Sequence, residues 1–265
     1  MTCKPSSKSH ALFCDAAGIT DVGCVRKSNE DAFSADTDNR LFIVADGVGG
    51  RSGGAVAAEA VIEMLPLILK KHLAKLGSES NDDLARDVLS KSLEEVGRLI
   101  YERGKNDVEL AGMGSTALVA RMTGNTLNIA HMGDSRAYLL RDGTLSQITG
   151  DHSVVHLLVA HGEISDSQAV DHPARGRLTR FAGMAGEVDP ETHSIPLEDG
   201  DVICLCTDGL WGMVPNSRIQ SLLSGGGDAV ALCRKLINAG KDAGGYDNLT
   251  AVVLRIEPSQ NGCSR

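Results

Sequence analysis

The apolar segments of this sequence are of two kinds, short strand-like runs and long helical ones, and the two kinds are grouped apart along the chain. Helical spacing of apolar residues covers 54–76, where Pro66 is expected to introduce a kink, and 82–103. Three short strands come next, and the last of them enters an Asp142-Gly143 hairpin turn. This grouping favours antiparallel sheets covered by helices, an α+β sandwich, over an alternating parallel fold.

The remaining segments predict one domain with an irregular insertion. Strands are predicted at 11–20, 32–33, 41–45, 115–120, 126–131, 136–140, 202–206 and 249–256, and two more helices at 216–223 and 228–239. Residues 151–190 are polar and contain several Gly and Pro residues, which predicts a short helix after Asp151 and then a flap. We expect a single domain, 1–265, with a core of about 10–257, this flap and polar tails at 1–9 and 258–265.

Charge and composition restrict the partners and the compartment. Aromatic residues are only 3% of the chain and the net charge is -9, so binding to nucleic acid is not expected. The seven cysteines are odd in number and scattered, which is typical of a reduced, cytoplasmic protein. Neither a signal peptide nor a membrane span is predicted, and we expect a monomer.

Acidic residues recur at the edges of the predicted strands. Taken singly, an Asp beside a Gly is ordinary turn chemistry. A group of carboxylates that end apolar strands would nevertheless repel one another unless cations neutralised them. The residues of this acidic set are Glu30, Asp31, Asp46, Asp134, Asp208 and Asp247.

An all-oxygen ligand set selects a hard divalent cation, magnesium or manganese, because zinc and copper sites usually recruit His or Cys. No His-Glu-x-x-His motif occurs among the eight histidines. Two such ions would activate a bridging water and hold the oxygens of an in-line displacement at phosphorus. The matching reaction is the hydrolysis of a phosphomonoester.

Six short motifs resemble the PPM family, the type 2C metal-dependent protein phosphatases, and especially its bacterial members. Each motif is weak alone, but the match covers nearly the whole chain in the family's order. The motifs are Arg26-Lys27-Ser28-Asn29-Glu30-Asp31, Val44-Ala45-Asp46-Gly47-Val48-Gly49-Gly50, Gly114-Ser115-Thr116, Gly133-Asp134-Ser135-Arg136, Thr207-Asp208-Gly209-Leu210-Trp211 and Asp247-Asn248-Leu249-Thr250.

The resemblance implies a four-layer αββα sandwich and assigns roles to individual residues. Asp46 would bridge two metals, with the Gly47 carbonyl on one of them and Asp208 and Asp247 on the other. Asp134 and Asp208 would hold a third, weaker ion. The cofactors implied are therefore two or three divalent cations, manganese or magnesium.

The other implied roles concern the substrate. Glu30 and Asp31 would position metal-bound waters, and Arg26 would hold the substrate phosphate. The resemblance implies hydrolysis of phosphoserine or phosphothreonine in phosphorylated proteins. It also implies that the enzyme opposes a cognate bacterial serine/threonine kinase. The metal-activated water is expected to attack phosphorus directly, so no phosphoenzyme would form.

The sequence departs from the family at two positions. Val48 stands where some relatives have a histidine that protonates the leaving alkoxide, so a metal-bound water is the expected general acid. Gly212 stands where some have another acidic ligand, so the third ion site is expected to be weak. His161 and His172 lie in the flap, where surface or helix-end positions are the simpler interpretation.

Three other functions are alternatives to a metal-dependent phosphatase. A nucleotide-binding loop after 41–45 fails because Ser52 occupies the last glycine position of G-x-G-x-x-G. A cysteine-dependent phosphatase fails because no cysteine is followed by an arginine six residues later, so the cysteines are expected to be buried apolar groups. A pseudophosphatase, acting as a binding or regulatory module, stays open on the strength of Val48 and Gly212.

Overall fold

The computed structural model describes residues 12–49, 53–76 and 81–258. The strands are β1 (Leu12–Asp21), β2 (Asp31–Asp36), β3 (Leu41–Val48), β4 (Gly114–Ser115), β5 (Ala117–Thr123), β6 (Thr126–Met132), β7 (Arg136–Arg141), β8 (Thr144–Gln147), β9 (Glu191–Pro196), β10 (Val202–Cys206) and β11 (Leu249–Pro258). The helices are α1 (Gly53–Leu76), α2 (Asp82–Asn106), α3 (Val154–Ala160), α4 (Asp166–Ala169), α5 (Asp208–Trp211), α6 (Asn216–Ser224) and α7 (Ala229–Asp242), with a 3-10 turn at Val108–Leu110.

The strands form two antiparallel sheets. One has the order β1-β11-β10-β7-β8, and the other has the order β2-β3-β5-β6-β9, with β4 paired to β3. The β7–β8 hairpin turns at Asp142 and Gly143, which both have positive φ angles of 50° and 74°, as the predicted Asp-Gly turn requires. The three consecutive strands predicted at 115–120, 126–131 and 136–140 do not form one meander, because β6 pairs with β5 and β9 whereas β7 lies in the other sheet, between β10 and β8.

The central strands are apolar at nearly every position because both of their faces are buried. In β3, Ile43 packs in a cluster with α1 and α2, whereas its neighbours Phe42 and Val44 pack in a second cluster between the two sheets. A third cluster packs α6 and α7 on the outer face of β10 and β11. Helices therefore cover both sheets, and the predicted αββα sandwich is confirmed.

Most elements begin and end within a few residues of their predicted bounds, with two instructive differences. Asp46 lies inside β3, which continues to Val48, although the sequence places it at a strand's exit. The predicted strand 115–120 is two strands, because Thr116 separates β4 from β5. Helix α1 contains Pro66 and continues past it to Leu76, and the kink expected there stays a prediction.

Three further elements were not predicted. Strands β8 and β9 lie at the edges of the two sheets and are largely polar, and α5 is a single turn. In the flap, α3 is the short helix predicted after Asp151; α4 follows, and no regular element comes between α4 and β9.

Four cysteines are buried as predicted, and one is not. Cys204 and Cys206 share the face of β10 that packs in the same cluster as Cys233, and Cys14 lies between the sheets. Cys24 is exposed, contrary to the prediction. The predicted polar tails and the two terminal cysteines, Cys3 and Cys263, lie outside the described residues. None of the described helices has the length and apolar character needed to cross a membrane.

Candidate metal and phosphate site

The acidic residues that the sequence singles out converge at one end of the sandwich. The β-sheet register pairs Asp31, the first residue of β2, with Asp46. Asp134 lies between β6 and β7, Asp208 begins α5 directly after β10, and Asp247 precedes β11. A cavity of about 260 Å³ is lined by seven of the eight predicted site residues: Arg26, Glu30, Asp46, Gly47, Asp134, Asp208 and Asp247.

Asp31, the eighth predicted residue, lies behind this cavity in a hydroxyl network. Its Oδ2 accepts hydrogen bonds from Thr207 Oγ1 at 2.8 Å and from Thr250 Oγ1 at 2.6 Å. Thr250 Oγ1 is also 2.7 Å from Thr20 Oγ1. Asp31 belongs to β2 in one sheet, whereas Thr250 belongs to β11 in the other and Thr207 directly follows β10, so this carboxylate links the two halves of the sandwich beside the cavity.

The backbone around Asp46 is fixed by two hydroxyl residues from the motif Gly114-Ser115-Thr116. The Asp46 N–H donates to Thr116 Oγ1 at 2.9 Å, and the Asp46 carbonyl accepts from the Thr116 N–H at 2.8 Å and from Ser115 Oγ at 3.0 Å. The next amide, of Gly47, donates to the Glu30 carbonyl at 3.1 Å. These bonds fix the backbone from which the Asp46 side chain projects.

Gly209 allows Asp208 and Asp247 to lie close together. A Cβ atom on Gly209 would be 1.9 Å from the Asn248 carbonyl oxygen, so any larger residue would push β11 away from α5. Asn248 is also anchored: its Nδ2 donates to the carbonyls of Val22 and Ser28, at 3.0 Å each. The loop that carries Arg26 is thereby tied to the segment that carries Asp247.

Asp134 is held through its backbone carbonyl by Trp211, which packs against the partly buried cation Arg136. The Asp134 carbonyl accepts from Trp211 Nε1 at 2.9 Å, and the guanidinium of Arg136 lies 3.5 Å from the centre of the Trp211 ring. Arg136 in turn makes two hydrogen bonds to the Asp151 carboxylate, at 2.8 and 2.7 Å. The motif Gly133-Asp134-Ser135-Arg136 thus contributes both a candidate ligand and its support.

The carboxylates resist ionisation in this arrangement. Burial, and then the charges of Asp208 and Asp151, raise the pKa of Asp134 to about 8. Burial, with the charges of Asp208 and Asp247, raises the pKa of Asp31 to about 7 despite its two hydroxyl donors. The pKa values of Asp46 and Asp208 are also raised, chiefly by burial and by neighbouring carboxylates.

This donor set fits hard divalent cations. Ionised oxygens crowded in a partly buried cavity need a compensating positive charge, and carboxylates and a carbonyl are the donors that magnesium and manganese prefer. In the part of the chain that the structure describes, no histidine or cysteine lines the cavity, which disfavours zinc or copper there.

Arg26 is the cation at the mouth of the cavity. Its Nη2 lies 2.8 Å from Asp247 Oδ2, and more than half of its side chain is exposed. Charge from Asp247, and then from Glu30 and Asp208, raises the pKa of Arg26 further. A planar guanidinium that is accessible to solvent can donate hydrogen bonds to the phosphate of an incoming substrate.

The sequence did not reveal the contribution of Arg175, in the flap. Its Nη2 lies 3.4 Å from where a Cβ on Gly212 would be. Its positive charge partly offsets the rise in the pKa of Asp208 that burial and Asp247 cause. Arg175 therefore lies beside Gly212, the position at which some relatives have an acidic ligand for the third ion. Of the two flap histidines, His161 is an exposed helix end and His172 accepts a local hydrogen bond from the Ala174 N–H. Neither lines the cavity.

A second group of potential metal ligands lies next to this site. His131, His152 and Glu191 each bring one ligand atom within 4.8 Å of the others. All three already have partners: His152 Nδ1 accepts from the Gly133 N–H at 3.3 Å, its Nε2 is 3.2 Å from Glu191 Oε2, and His131 Nε2 is 2.8 Å from the Gly150 carbonyl oxygen. The backbone N–H of His152 also donates to the Gly133 carbonyl at 3.0 Å, so this group supports the loop before Asp134.

A larger cavity, of about 730 Å³, lies between α2 and residues 181–189. Its charged lining residues are of both signs, for example Arg98 and Glu187, and it contains none of the predicted site residues. The smaller cavity is the better candidate because three of its acidic residues, Asp46, Asp134 and Asp208, have raised pKa values.

Comparisons with known proteins identify the family of this chain. The family model described as Protein phosphatase 2C matches residues 25–252. The serine/threonine phosphatase stp of Listeria welshimeri is 35% identical over 246 residues, which cover 92% of this chain and 96% of that protein. The crystal structure of the Mycobacterium tuberculosis serine/threonine phosphatase PstP/Ppp matches with a TM-score of 0.79 at 34% identity, covering 93% of this chain and 99% of that chain.

A further solved structure bears on the metals. The catalytic domain of the serine threonine protein phosphatase PstP, in complex with two manganese ions, matches with a TM-score of 0.81 at 33% identity. That match covers 93% of this chain and 99% of that chain. The chain therefore belongs to the protein phosphatase 2C family of metal-dependent serine/threonine phosphatases.

Proposed function

We propose that this chain hydrolyses phosphoserine and phosphothreonine in proteins at the cavity lined by Asp46, Asp208 and Asp247. The observation that carries the proposal is the convergence of these carboxylates with Arg26, an accessible phosphate-binding cation, in one cavity. A metal-binding function alone would not need the arginine. A phosphate-binding function alone would not tolerate the carboxylates.

The metals would be held by residues from both sheets. Asp46 and the Gly47 carbonyl would come from β3, whereas Asp208 and Asp247 flank β10 and β11. Bound cations would supply Lewis acidity that lowers the pKa of the attacking water and neutralises the phosphate charge. Asp134 is the candidate ligand for a third ion. Gly212, at the position of a further acidic ligand in some relatives, has no side chain that could bind this ion.

Three other residues would act on the substrate and the water. Arg26 would exchange its contact with Asp247 for the phosphate oxygens, a change that its exposed side chain can make. Glu30 would orient water from the cavity wall. Asp31, held by Thr207 and Thr250, would take or release a proton near neutral pH, since its pKa is about 7.

The leaving oxygen would take its proton from water or from a carboxylic acid. Val48 lines the cavity at the family's histidine position and cannot donate a proton. The flap residues Gly176 and Leu178 also line this cavity. They support a role for the flap in shaping the approach of a protein substrate and in controlling product release.

We further propose that the enzyme is a single-domain, monomeric, cytoplasmic protein whose partners are phosphoproteins, among them a cognate serine/threonine kinase. Three contiguous apolar clusters through four layers support one domain. The relatives' names support phosphoprotein substrates. A pseudophosphatase would be expected to lack a main ligand, but Asp46, Asp208 and Asp247 are all present.

Hydrolysis assays test the proposal directly. Purified protein would be assayed on a phosphothreonine peptide and on para-nitrophenyl phosphate, in EDTA, magnesium or manganese, beside Asp208→Ala. Asp199→Ala, at an exposed loop position, is the matched control. We expect metal-dependent activity that only Asp208→Ala abolishes. A wild-type protein that melts cooperatively but is inactive with every metal would contradict the proposal.

A further inference from the structure

We propose that three exposed apolar side chains beside the cavity, Val22, Val25 and Tyr246, bind an apolar side chain of the substrate protein within two residues of the phosphorylated Ser or Thr. We call these three residues the apolar rim. The proposal rests on the phosphatase activity proposed above and adds a sequence preference to it.

Two residues of the apolar rim are sequence neighbours of the ion pair at the mouth of the cavity, and the carbonyl of the third, Val22, accepts a hydrogen bond from Asn248, which lines the cavity. Val25 directly precedes Arg26, and Tyr246 directly precedes Asp247, the two partners joined at 2.8 Å. The two loops lie side by side, because the Cys24 N–H donates to the Gly245 carbonyl at 2.7 Å. A group bound at Arg26 therefore has the rim next to it.

The rim is exposed although its residues are apolar. Val22 is 36%, Val25 59% and Tyr246 63% exposed, and none of them belongs to the three core clusters. They are three of the ten exposed large apolar side chains in the described part of the chain. Single exposed apolar residues need no explanation, but three around one functional ion pair indicate a binding surface.

The backbone of the rim is rigid. Asn248 donates to the carbonyls of Val22 and Ser28, and its Oδ1 accepts from the Glu30 N–H at 2.8 Å. The Tyr246 ring lies against the backbone of Gly244, where a Cβ atom would be 2.6 Å from the ring. A preformed surface loses little conformational entropy when a ligand binds, which favours recognition by a small contact.

The chemistry of the rim selects the occupant. The cavity is polar and, at about 260 Å³, has room for little more than the phosphate and its side chain, so the rest of a substrate must lie on the surface outside. An extended chain advances about 3.3–3.6 Å per residue, so side chains one or two positions from the phosphoresidue pass the rim. An apolar side chain would bury surface there, whereas a charged one would lose hydration.

Phosphopeptide pairs test this inference. One parent phosphothreonine peptide carries Ser at positions −2, −1, +1 and +2, and four others carry Leu at one of these positions. For the wild type with manganese, we expect Leu at one or more positions to raise kcat/KM roughly fivefold to thirtyfold, mainly through KM. Tyr246→Ala and Val25→Ser should bring this Leu/Ser ratio towards one while the Ser peptide is hydrolysed as before.

Matched controls are available on other surfaces. Phe13→Ala removes an aromatic ring that is 55% exposed, at the far end of β1, and Val230→Ser changes a 40% exposed valine on α7. Both should keep the wild-type ratio. Melting in manganese confirms that each variant is folded, and Tyr246→Ala alone decides the question if Val25→Ser is unfolded.

The proposal is overturned if the wild type shows no preference at any of the four positions, or if the rim variants keep it. It is also overturned if those variants lose activity equally on the Leu and Ser peptides, because the residues would then support the catalytic centre. Failure of the proposed function is a separate result, since the wild type would hydrolyse neither peptide.

Discussion

Replacing Asp134 by Asn should stabilise the metal-free protein, because it removes an ionisable group from a place that disfavours its charge. Asp134 is only 6% exposed and lies with other carboxylates at one end of the sandwich. Its pKa of about 8 is far above the usual 3.8. Asparagine has almost the same shape but no proton to release, and the Trp211 bond to the backbone carbonyl is unaffected.

The sign and size follow from the raised pKa. Between the unfolded pKa of 3.8 and the folded value of about 8, the folded state keeps a proton that the unfolded state has released. Stability is therefore complete below pH 3.8 and is lost as pH rises through 8, by about 1.4 kcal/mol per pH unit. At pH 7, the Asn variant should be more stable by roughly 2–4 kcal/mol, which is on the order of 5–10 °C in Tm.

Thermal melts in EDTA between pH 5 and pH 8 measure this effect. The wild-type Tm should fall with pH more steeply than that of Asp134→Asn, and the two curves should converge towards acid pH. Asp199→Asn, in an exposed loop, should follow the wild type. An Asp134→Asn variant that is no more stable than the wild type at pH 7 would refute the view that buried carboxylates oppose folding here.

Three further predictions concern binding and support. Arg26→Ala should lower kcat/KM on phosphopeptides roughly 10- to 100-fold. Manganese should bind to this variant at least as tightly as to the wild type, because the cation beside Asp247 is removed. Loss of manganese binding in calorimetry would contradict the role assigned to Arg26. Manganese affinity should rise from pH 6 to pH 8, since the candidate ligands Asp46, Asp134 and Asp208 have raised pKa values and must release their protons to bind the ion. Calorimetry in buffers of different ionisation enthalpy should detect this proton release, and its absence would contradict the raised pKa values. Asn248→Ala removes three hydrogen bonds and should destabilise the protein by roughly 2–4 kcal/mol in urea melts, whereas an unchanged midpoint would mean that the Arg26 loop is held by other contacts.

The sequence predicted the buried strands well and the edge strands poorly. The run 202–206 is apolar at every position because β10 lies between two neighbouring strands and has both faces covered. β8 and β9 each have a neighbour on one side only, so their sequences carry little apolar pattern. The turn at Asp142 was predictable because positive φ angles restrict the residues that can stand there.

In the candidate site, the motifs identified residues but not their supports. Thr207 and Thr250 stand within motifs that suggest other roles, and only the folded chain brings them to Asp31, 176 and 219 positions away. Arg175 gave no signal, because the flap has no regular pattern that would place its side chain beside Asp208. Local propensity cannot encode such distant contacts.

The division of the site between two sheets has a consequence for local opening. Asp46 lies in β3 of one sheet, and Asp208 begins α5 just after β10 of the other sheet, so an ion bound by both would connect the two halves of the sandwich at this end. At the far end, Leu12 and Pro258 pair within one sheet. Amide hydrogen exchange around Asp46 and Thr207 should therefore slow strongly on addition of manganese, while exchange near Leu12 stays as it was. Without bound metal, the protein would open locally at its catalytic end more often than at the opposite end.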